Sequence, residues 1–377
     1  MTTTDDVLLV SKPLVPPWQD SATLLPCSLA QHASGVRMAV MTRRGLRLDL
    51  PGVRSEGLYR HPAEPEPSGF DKARVLARLL GPDIPPVLHF MLAPRRRTSA
   101  AAALVRRRHP RVRIVQTVMW LPDFPGELEP ALFGDVVAVW SQTGAAMARQ
   151  ALSARQGVRI VHIPPGVSPL EPMGRDEKRQ ARVALDLSPD RPVVVYAGDV
   201  ELSGAARVVA MAATRVVERI PAFFVFACRP RTAMSWAATR AFESEIAPLV
   251  GRGHARVVGR LDSFHDLLRC ADCQVLPGDT MYGRTDLPLS LLEGLSASVP
   301  AVVGTGTPVD MLIDAGAVLG VRPADPVALA DTLIALLHRH GSVDALAAAG
   351  RDWVLRHHGV EQMAAAYSSV YHDLLRM

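Results

Sequence analysis

The sequence has few cysteines, few aromatic side chains and no long apolar run. Its 377 residues include four cysteines, Cys27, Cys228, Cys270 and Cys273, too few and too scattered for a disulfide framework, which points to a reducing compartment, the cytoplasm. Aromatic residues make up 5% and the formal net charge is only +5. A dedicated nucleic-acid binder with stacking platforms is therefore not the natural reading, and no nucleic-acid partner is expected. No stretch approaches the ~18 uninterrupted apolar residues of a membrane span. The N-terminus, "MTTTDDVLLVSKPLVPPW", has acidic residues where a secretory signal has basic ones, so it reads as a first strand. The lone "CADC" at 270–273 has neither a second cysteine pair nor histidines at ligand spacing. Two buried thiols are expected there, and no metal.

What is present is an alternation of short β-rich runs with longer helical patterns. The first half offers "DVLLV", "VRMAVMT", "PPVLHFML", "VRIVQTV", "DVVAVW" and "VRIVHIP" as strands, with helical stretches such as "SATLLPCSLAQHA", "KARVLARLL" and "TSAAAALVRRR" between several of them. A proline- and glycine-rich segment, "HIPPGVSPLEPMG", then breaks the rhythm and reads as an inter-domain linker. After "DEKRQARVALDL" the alternation resumes with "PVVVYAGD", "AFFVFACR", "ARVVGRL", "CQVLPGD", "PAVVGTG" and "AVLGV". The fold class expected is α/β: two doubly wound, Rossmann-like domains with parallel sheets facing a central cleft. In such sheets ligands sit beyond the carboxyl ends of the strands, so chemistry is sought in the loops there.

Three loops of the second half qualify. In "VVVYAGDVELSGA", Gly198 follows a strand and Gly204 precedes a helix, a place for backbone amides to approach a phosphate or simply for a tight turn. In "ARVVGRLDS", Arg260 and Leu261 follow a strand, to border a base or merely to solvate a loop. In "MYGRTDLPLSLLEGL", residues 281–295, Arg284 and Asp286 precede a helix that begins near Pro288 and carries Glu293. An anion at that helix start gains from free amides and the macrodipole, with Arg284 adding a charge-assisted bond. A carboxylate such as Glu293 can grip the vicinal hydroxyls of a ribose. The plainer alternative leaves Asp286 as a helix cap and Glu293 on a solvated face.

The stretch "LPGDTMYGRTDLPLSLLEGLSASVPAVVGT" resembles the donor-site segment of retaining GT-B glycosyltransferases of family 4 (glycosyl transferases group 1). The likeness is strong over residues 190–305 and loose before 165, where "SKPLVPPWQDSA" and "HIPPGV" are similar to the family's first acceptor-side loop and its linker. It implies a GT-B fold with an N-terminal acceptor-side domain at 1–165, a linker at 166–175, a nucleotide-sugar donor domain at 176–358 and a final helix, 359–377, crossing back to the first domain. It also implies that Glu293 binds the nucleotide ribose and that Arg284 lies near the donor phosphates. The backbone around Asp286 and Leu287 would face diphosphate and sugar, Gly198 and Asp199 would lie at the phosphate-facing turn, and Arg260 and Leu261 would border the base. Trp18 and His89 are its acceptor-side candidates.

The departures from the family's pattern are specific. Thr285 stands eight positions before Glu293, where the family has its first motif glutamate, with Asp286 one step away as a substitute. Asp199 and Glu201 replace the usual Arg and Lys after the glycine turn, and Met119 stands where a histidine is often found. The activity implied is metal-independent, retaining transfer of a sugar from a nucleotide-diphosphate sugar to a glycan, lipid or small-molecule acceptor. The donor is a co-substrate and no cofactor is involved, the leaving diphosphate takes the proton, and Arg284 and Asp286 act at the reacting centre. A degenerate binder without turnover and a nucleotide-sugar epimerase are the alternatives. The basic run Arg95, Arg96, Arg97, Arg106, Arg107, Arg108, Arg111 and Arg113 suits either solvated helix ends or peripheral contact with an anionic membrane, on its inner, cytoplasmic face.

Overall fold

The computed structural model describes residues 5–17, 20–60, 67–121, 125–230, 232–280, 285–338 and 340–377. They form two compact units, one of residues 1–166, 282–286 and 360–377, the other of 167–281 and 287–359.

The first unit runs β1 (Val7–Leu14), α1 (Ser21–His32), β2 (Met38–Arg43), β3 (Val53–Tyr59), α2 (Gly69–Leu80), β4 (Val87–Phe90) and α3 (Arg96–Arg108). It continues through β5 (Arg113–Val118), α4 (Pro125–Ala131), β6 (Val136–Val139), α5 (Gln142–Ala151) and β7 (Arg159–His162). The seven strands lie in the order β3-β2-β1-β4-β5-β6-β7, every pair parallel. Helices cover both faces, which is why β4 and β6 are buried at every residue; β6 reads as an unbroken apolar run and β4 as one interrupted by His89. On one face α2 and α3 pack Leu79, Ala102 and Val105 against Leu8, Val10, Leu88 and Phe90. α1 and the C-terminal helix lie against each other. β3 was not among the strands expected from the sequence. An edge strand, it is mostly half-buried or exposed and carries Arg54 and Glu56, so no apolar run marks it.

The second unit comprises α6 (Arg175–Ala184), β8 (Val193–Gly198), α7 (Ala205–Val216), β9 (Phe223–Cys228), α8 (Ala233–Glu245), α9 (Ala247–Gly251) and β10 (Ala255–Val258). There follow α10 (Phe264–Cys270), β11 (Cys273–Leu276), α11 (Leu289–Ser296), β12 (Ala301–Gly304), α12 (Asp310–Asp314), β13 (Leu319–Val321), α13 (Pro326–His338) and α14 (His340–His357). Its six parallel strands, all expected, take the order β10-β9-β8-β11-β12-β13. Arg182 of α6 is buried, and its guanidinium donates to the Cys270 carbonyl at 2.8 Å and to Asp272 at 2.7 Å, tying α6 to the β11 start. The Val167 N–H donates to the His358 carbonyl at 2.8 Å, so the segment read as a linker is anchored within this unit from its second residue on. The last helix, α15 (Val360–Leu375), belongs to the first unit.

Both sheets have the doubly wound 3-2-1-4-5-6 order, extended by one strand in the first. The strand order therefore reverses at β1/β4 in one unit and β8/β11 in the other. Among the described residues no helix is long and apolar enough to cross a membrane. The four cysteines are free and buried, and burial pushes the Cys27 and Cys270 thiols up to about 11.

Candidate functional site

In the second unit the loops beyond β8 and β11 flank the switch point. β8 ends at Gly198, and a Cβ added there would lie 2.5 Å from the Tyr196 hydroxyl. That hydroxyl donates to the Asp199 carbonyl at 2.8 Å. Glycine at 198 is thus accounted for by the Tyr196 ring folding under the turn. The turn satisfies its own amides: Asp199 Oδ1 accepts from Leu202 N–H at 2.9 Å, Glu201 from Val200 N–H at 3.2 Å and Ser203 Oγ from Ala205 N–H at 3.2 Å. Asp199 and Glu201 thus serve as local acceptors for backbone amides of their own turn.

Beyond β11 the backbone approaches β12 so closely that any side chain at Gly304 would strike the Gly278 carbonyl. Arg284 lies outside the described residues, as does Trp18. α11 begins at Leu289 with Pro288 at its cap, and the Leu291 and Leu292 N–H groups donate to the Pro288 carbonyl. Leu287, Leu291 and Leu292 are core residues. Gly294 sits against the Gln274 side chain of β11, and the absence of a Cβ there lets α11 lie close to the sheet. This holds the next residue back along the helix, Glu293, in place. Arg351 of α14 secures the helix end by donating to the Ser296 carbonyl.

Glu293 is 8% exposed. The partner of its carboxylate among the described residues is His265 of α10, Nε2 to Oε1 at 3.4 Å. The Glu293 carboxylate raises the His265 pKa above its ordinary value, through the hydrogen bond first, against the opposing effect of burial. A carboxylate has about four acceptor positions. One long contact to a half-exposed imidazole leaves most of them open, an uncommon state for a buried acid. His265 was not anticipated. It lies far from Glu293 in sequence, and no spacing rule links α10 to α11.

The other candidates fall elsewhere. Arg260 is exposed and pairs with Asp262 at 3.6 Å, while Leu261 packs against the core cluster that contains Val225 and Leu267. Asp286 is 5% exposed and belongs to the first unit, where Ser141 Oγ donates to Oδ2 at 2.5 Å and the Asp286 N–H donates to the Met119 carbonyl at 2.8 Å. Ser141 is the N-cap of α5 and also accepts from Gly144 N–H at 2.8 Å. A carboxylate behind a helix N-cap is stabilised by the positive end of the helix. Asp286 is thus a buried residue anchored to Ser141 and to the Met119 carbonyl. His89 lies in the core of the first unit. It is fully buried, Nδ1 bonding the Tyr371 hydroxyl at 2.6 Å and Nε2 the Thr117 hydroxyl at 2.7 Å, and burial lowers its pKa to about 3. With both nitrogens engaged it is a neutral core residue joining β4 and β5 to α15. Among the described residues no cluster of three His, Cys, Asp or Glu side chains is placed to hold a metal.

The architecture is that of a GT-B protein. Residues 191–339 match the family described as "Glycosyl transferases group 1". Among solved structures, a sucrose-phosphate synthase from Thermosynechococcus elongatus superposes with TM-score 0.79 at 18% identity, covering 98% of this chain and 99% of that one. HepE of Anabaena, in complex with UDP and glucose, superposes with TM-score 0.75 at 12% identity, covering 99% of this chain and all of the other. An α,α-trehalose-phosphate synthase (UDP-forming) from Burkholderia vietnamiensis gives TM-score 0.69 at 13% identity, covering 99% and 98%. At these identities the likeness defines the fold. Among curated proteins no sequence matches the chain.

Proposed function

We propose that the protein is a glycosyltransferase that moves a sugar, with retention of configuration, from a nucleotide-diphosphate sugar to a glycan, lipid or small-molecule acceptor. The observation that carries this reading is Glu293: a buried, under-partnered carboxylate on the helix that follows the β8/β11 switch point, within the segment matching the group 1 family. Two vicinal ribose hydroxyls donating to its open positions would complete its hydrogen bonding. The leaving diphosphate accepts the acceptor's proton, so neither a protein nucleophile nor a cation is required. Catalysis then rests on placing the two substrates and on stabilising charge at the diphosphate, the role assigned to Arg284. UDP is the first nucleotide to try, because the HepE complex contains it and the trehalose-phosphate synthase is UDP-forming.

Calorimetric titration of wild type and Glu293→Ala with UDP and with GDP tests the reading. Binding of one nucleotide by the wild type, lost in the variant, is the expected result. Binding of neither by a folded wild type, or equal binding by both proteins, would sink it. A second reading, binding without turnover, is favoured by the β8–α7 turn, where Asp199 and Glu201 stand in place of the cations that would stabilise charge on a leaving diphosphate and instead hold their own backbone amides. Release of UDP from UDP-sugars in the presence of acceptors separates the two.

A further inference from the structure

We infer that the outer face of α3 docks the protein on an anionic lipid surface. From Arg95 to Arg113 the chain contains eight arginines and no acidic residue. Arg106 is accounted for by the fold, donating to the Phe133 carbonyl at 3.0 Å and pairing with Asp135 at 2.9 Å. Arg96, Arg97, Arg107, Arg108 and Arg111 are exposed and make no ion pair among the described residues. Arg96 and Arg97 stand in the first turn of α3, where the helix dipole disfavours cations. The charges of Arg96 and Arg97 at the helix start are unfavourable in the isolated chain and are offset when an external anion meets them, while Arg107 and Arg108 at the other end suit the dipole and extend the same cationic surface.

The space between the two arginine groups argues for a surface over a small anion. Positions 97, 104 and 108 recur at helical spacing on one stripe of α3, with Arg111 in the turn just beyond its end, and Leu104 in the middle of the stripe is 44% exposed, flanked by exposed Ala100 and Ala103. On the adjoining helix, α2, Phe70 is 70% exposed with the Arg60 and Arg74 guanidiniums over its ring at 5.4 and 5.8 Å, and Lys72 beside it is exposed. An apolar stripe between cationic ends, with an exposed aromatic alongside, matches an interface whose headgroups are negative and whose interior is hydrocarbon. A small phosphorylated ligand would have no use for Leu104 or Phe70.

Flotation of the full-length protein with vesicles tests this. It is expected to float with phosphatidylcholine–phosphatidylglycerol vesicles, to ignore phosphatidylcholine alone, and to be released by added sodium chloride. Each cation near an anionic leaflet contributes about fivefold in affinity, so Arg107→Glu/Arg108→Glu/Arg111→Glu should bind on the order of 100-fold more weakly. Leu104→Ser should lose several-fold, and thermal melts should show both variants folded. If the triple variant does not fold, the lipid and salt dependence of the wild type together with Leu104→Ser decide. Failure of the wild type to float with anionic vesicles, equal flotation with both compositions, or undiminished flotation of the folded variants would overturn the inference. So would release by inorganic phosphate beyond that by chloride at matched ionic strength, which would point to a small-anion site.

Discussion

The two units share one strand order but treat their notable histidines in opposite ways. His89 in the first is fully enclosed, bonded through both nitrogens and held neutral by burial. His265 in the second is half-exposed and held toward its charged form by Glu293. The first arrangement completes a core and leaves nothing over for a ligand. The second leaves a buried carboxylate with open acceptor positions. The same topology can therefore carry either role, and the difference lies in how fully each polar group is partnered.

The largest expected effect sharpens that difference. Glu293→Ala should lower nucleotide affinity by roughly 100-fold or more, since two hydrogen bonds to a charged acceptor are worth about 3 kcal/mol or more together. Its melting temperature should hold or rise, because a poorly partnered buried charge is removed. A variant that melts far lower, with nucleotide binding intact, would make Glu293 a structural residue like His89.

His89→Ala should do the converse. It strands the Tyr371 and Thr117 hydroxyls in the core and opens a cavity, at a cost of about 3–5 kcal/mol in stability read from denaturant unfolding, with nucleotide affinity unchanged in the folded fraction. The pH dependence of this group has a definite sign. Its folded pKa, about 3, lies below the ordinary 6.5, so the unfolded chain binds a proton in that window that the native state refuses. Its contribution is complete above about pH 6.5 and is lost as pH falls toward 3, with a slope of up to about 1.4 kcal/mol per unit. Replacing His89 should flatten the acid limb of the stability profile.

Ser141→Ala is expected to cost about 2 kcal/mol, combining a lost N-cap with the loss of the donor that Ser141 supplies to the buried Asp286 carboxylate. If Asp286 instead acted at the reacting centre, Asp286→Asn would abolish turnover with little loss of stability; the anchor seen here predicts a stability loss comparable to that of Ser141→Ala.

Much of this was legible beforehand because strands covered on both faces announce themselves. All six strands of the second sheet, and all but the polar edge strand β3 of the first, could be picked out by short apolar-rich segments. Glu293 could be singled out because its neighbours, the Leu-Leu before it and the small residues and Val-Pro after it, lie in one continuous stretch. The partners that decide what each polar group does were not legible. Ser141 meets Asp286 across 145 positions, and His89 meets Tyr371 across 282. A glycine after a strand signals a close approach but not to what, and at Gly198 the answer was the Tyr196 ring. Acids in a turn look hostile to a phosphate, yet at Asp199 and Glu201 they serve their own backbone.

The smallest expected effect concerns His265 and tests whether it positions Glu293. Its folded pKa is raised, so its pairing with Glu293 is complete below the ordinary histidine value and is lost as pH rises through the raised one. The pair is substantially exposed on the histidine side, so the stability change should be slight. Nucleotide affinity is the better reading. On the proposed function, a charged His265 fixes the Glu293 carboxylate for the ribose, and His265→Ala should weaken nucleotide binding several-fold at about pH 6. The gap between wild type and variant should close at alkaline pH. Because the ligand's own phosphate also titrates, the difference between the two proteins is the quantity to follow. His265→Gln keeps a neutral donor and should restore part of the affinity without the pH dependence. A gap independent of pH would assign His265 to packing and leave Glu293 positioned by α11 alone.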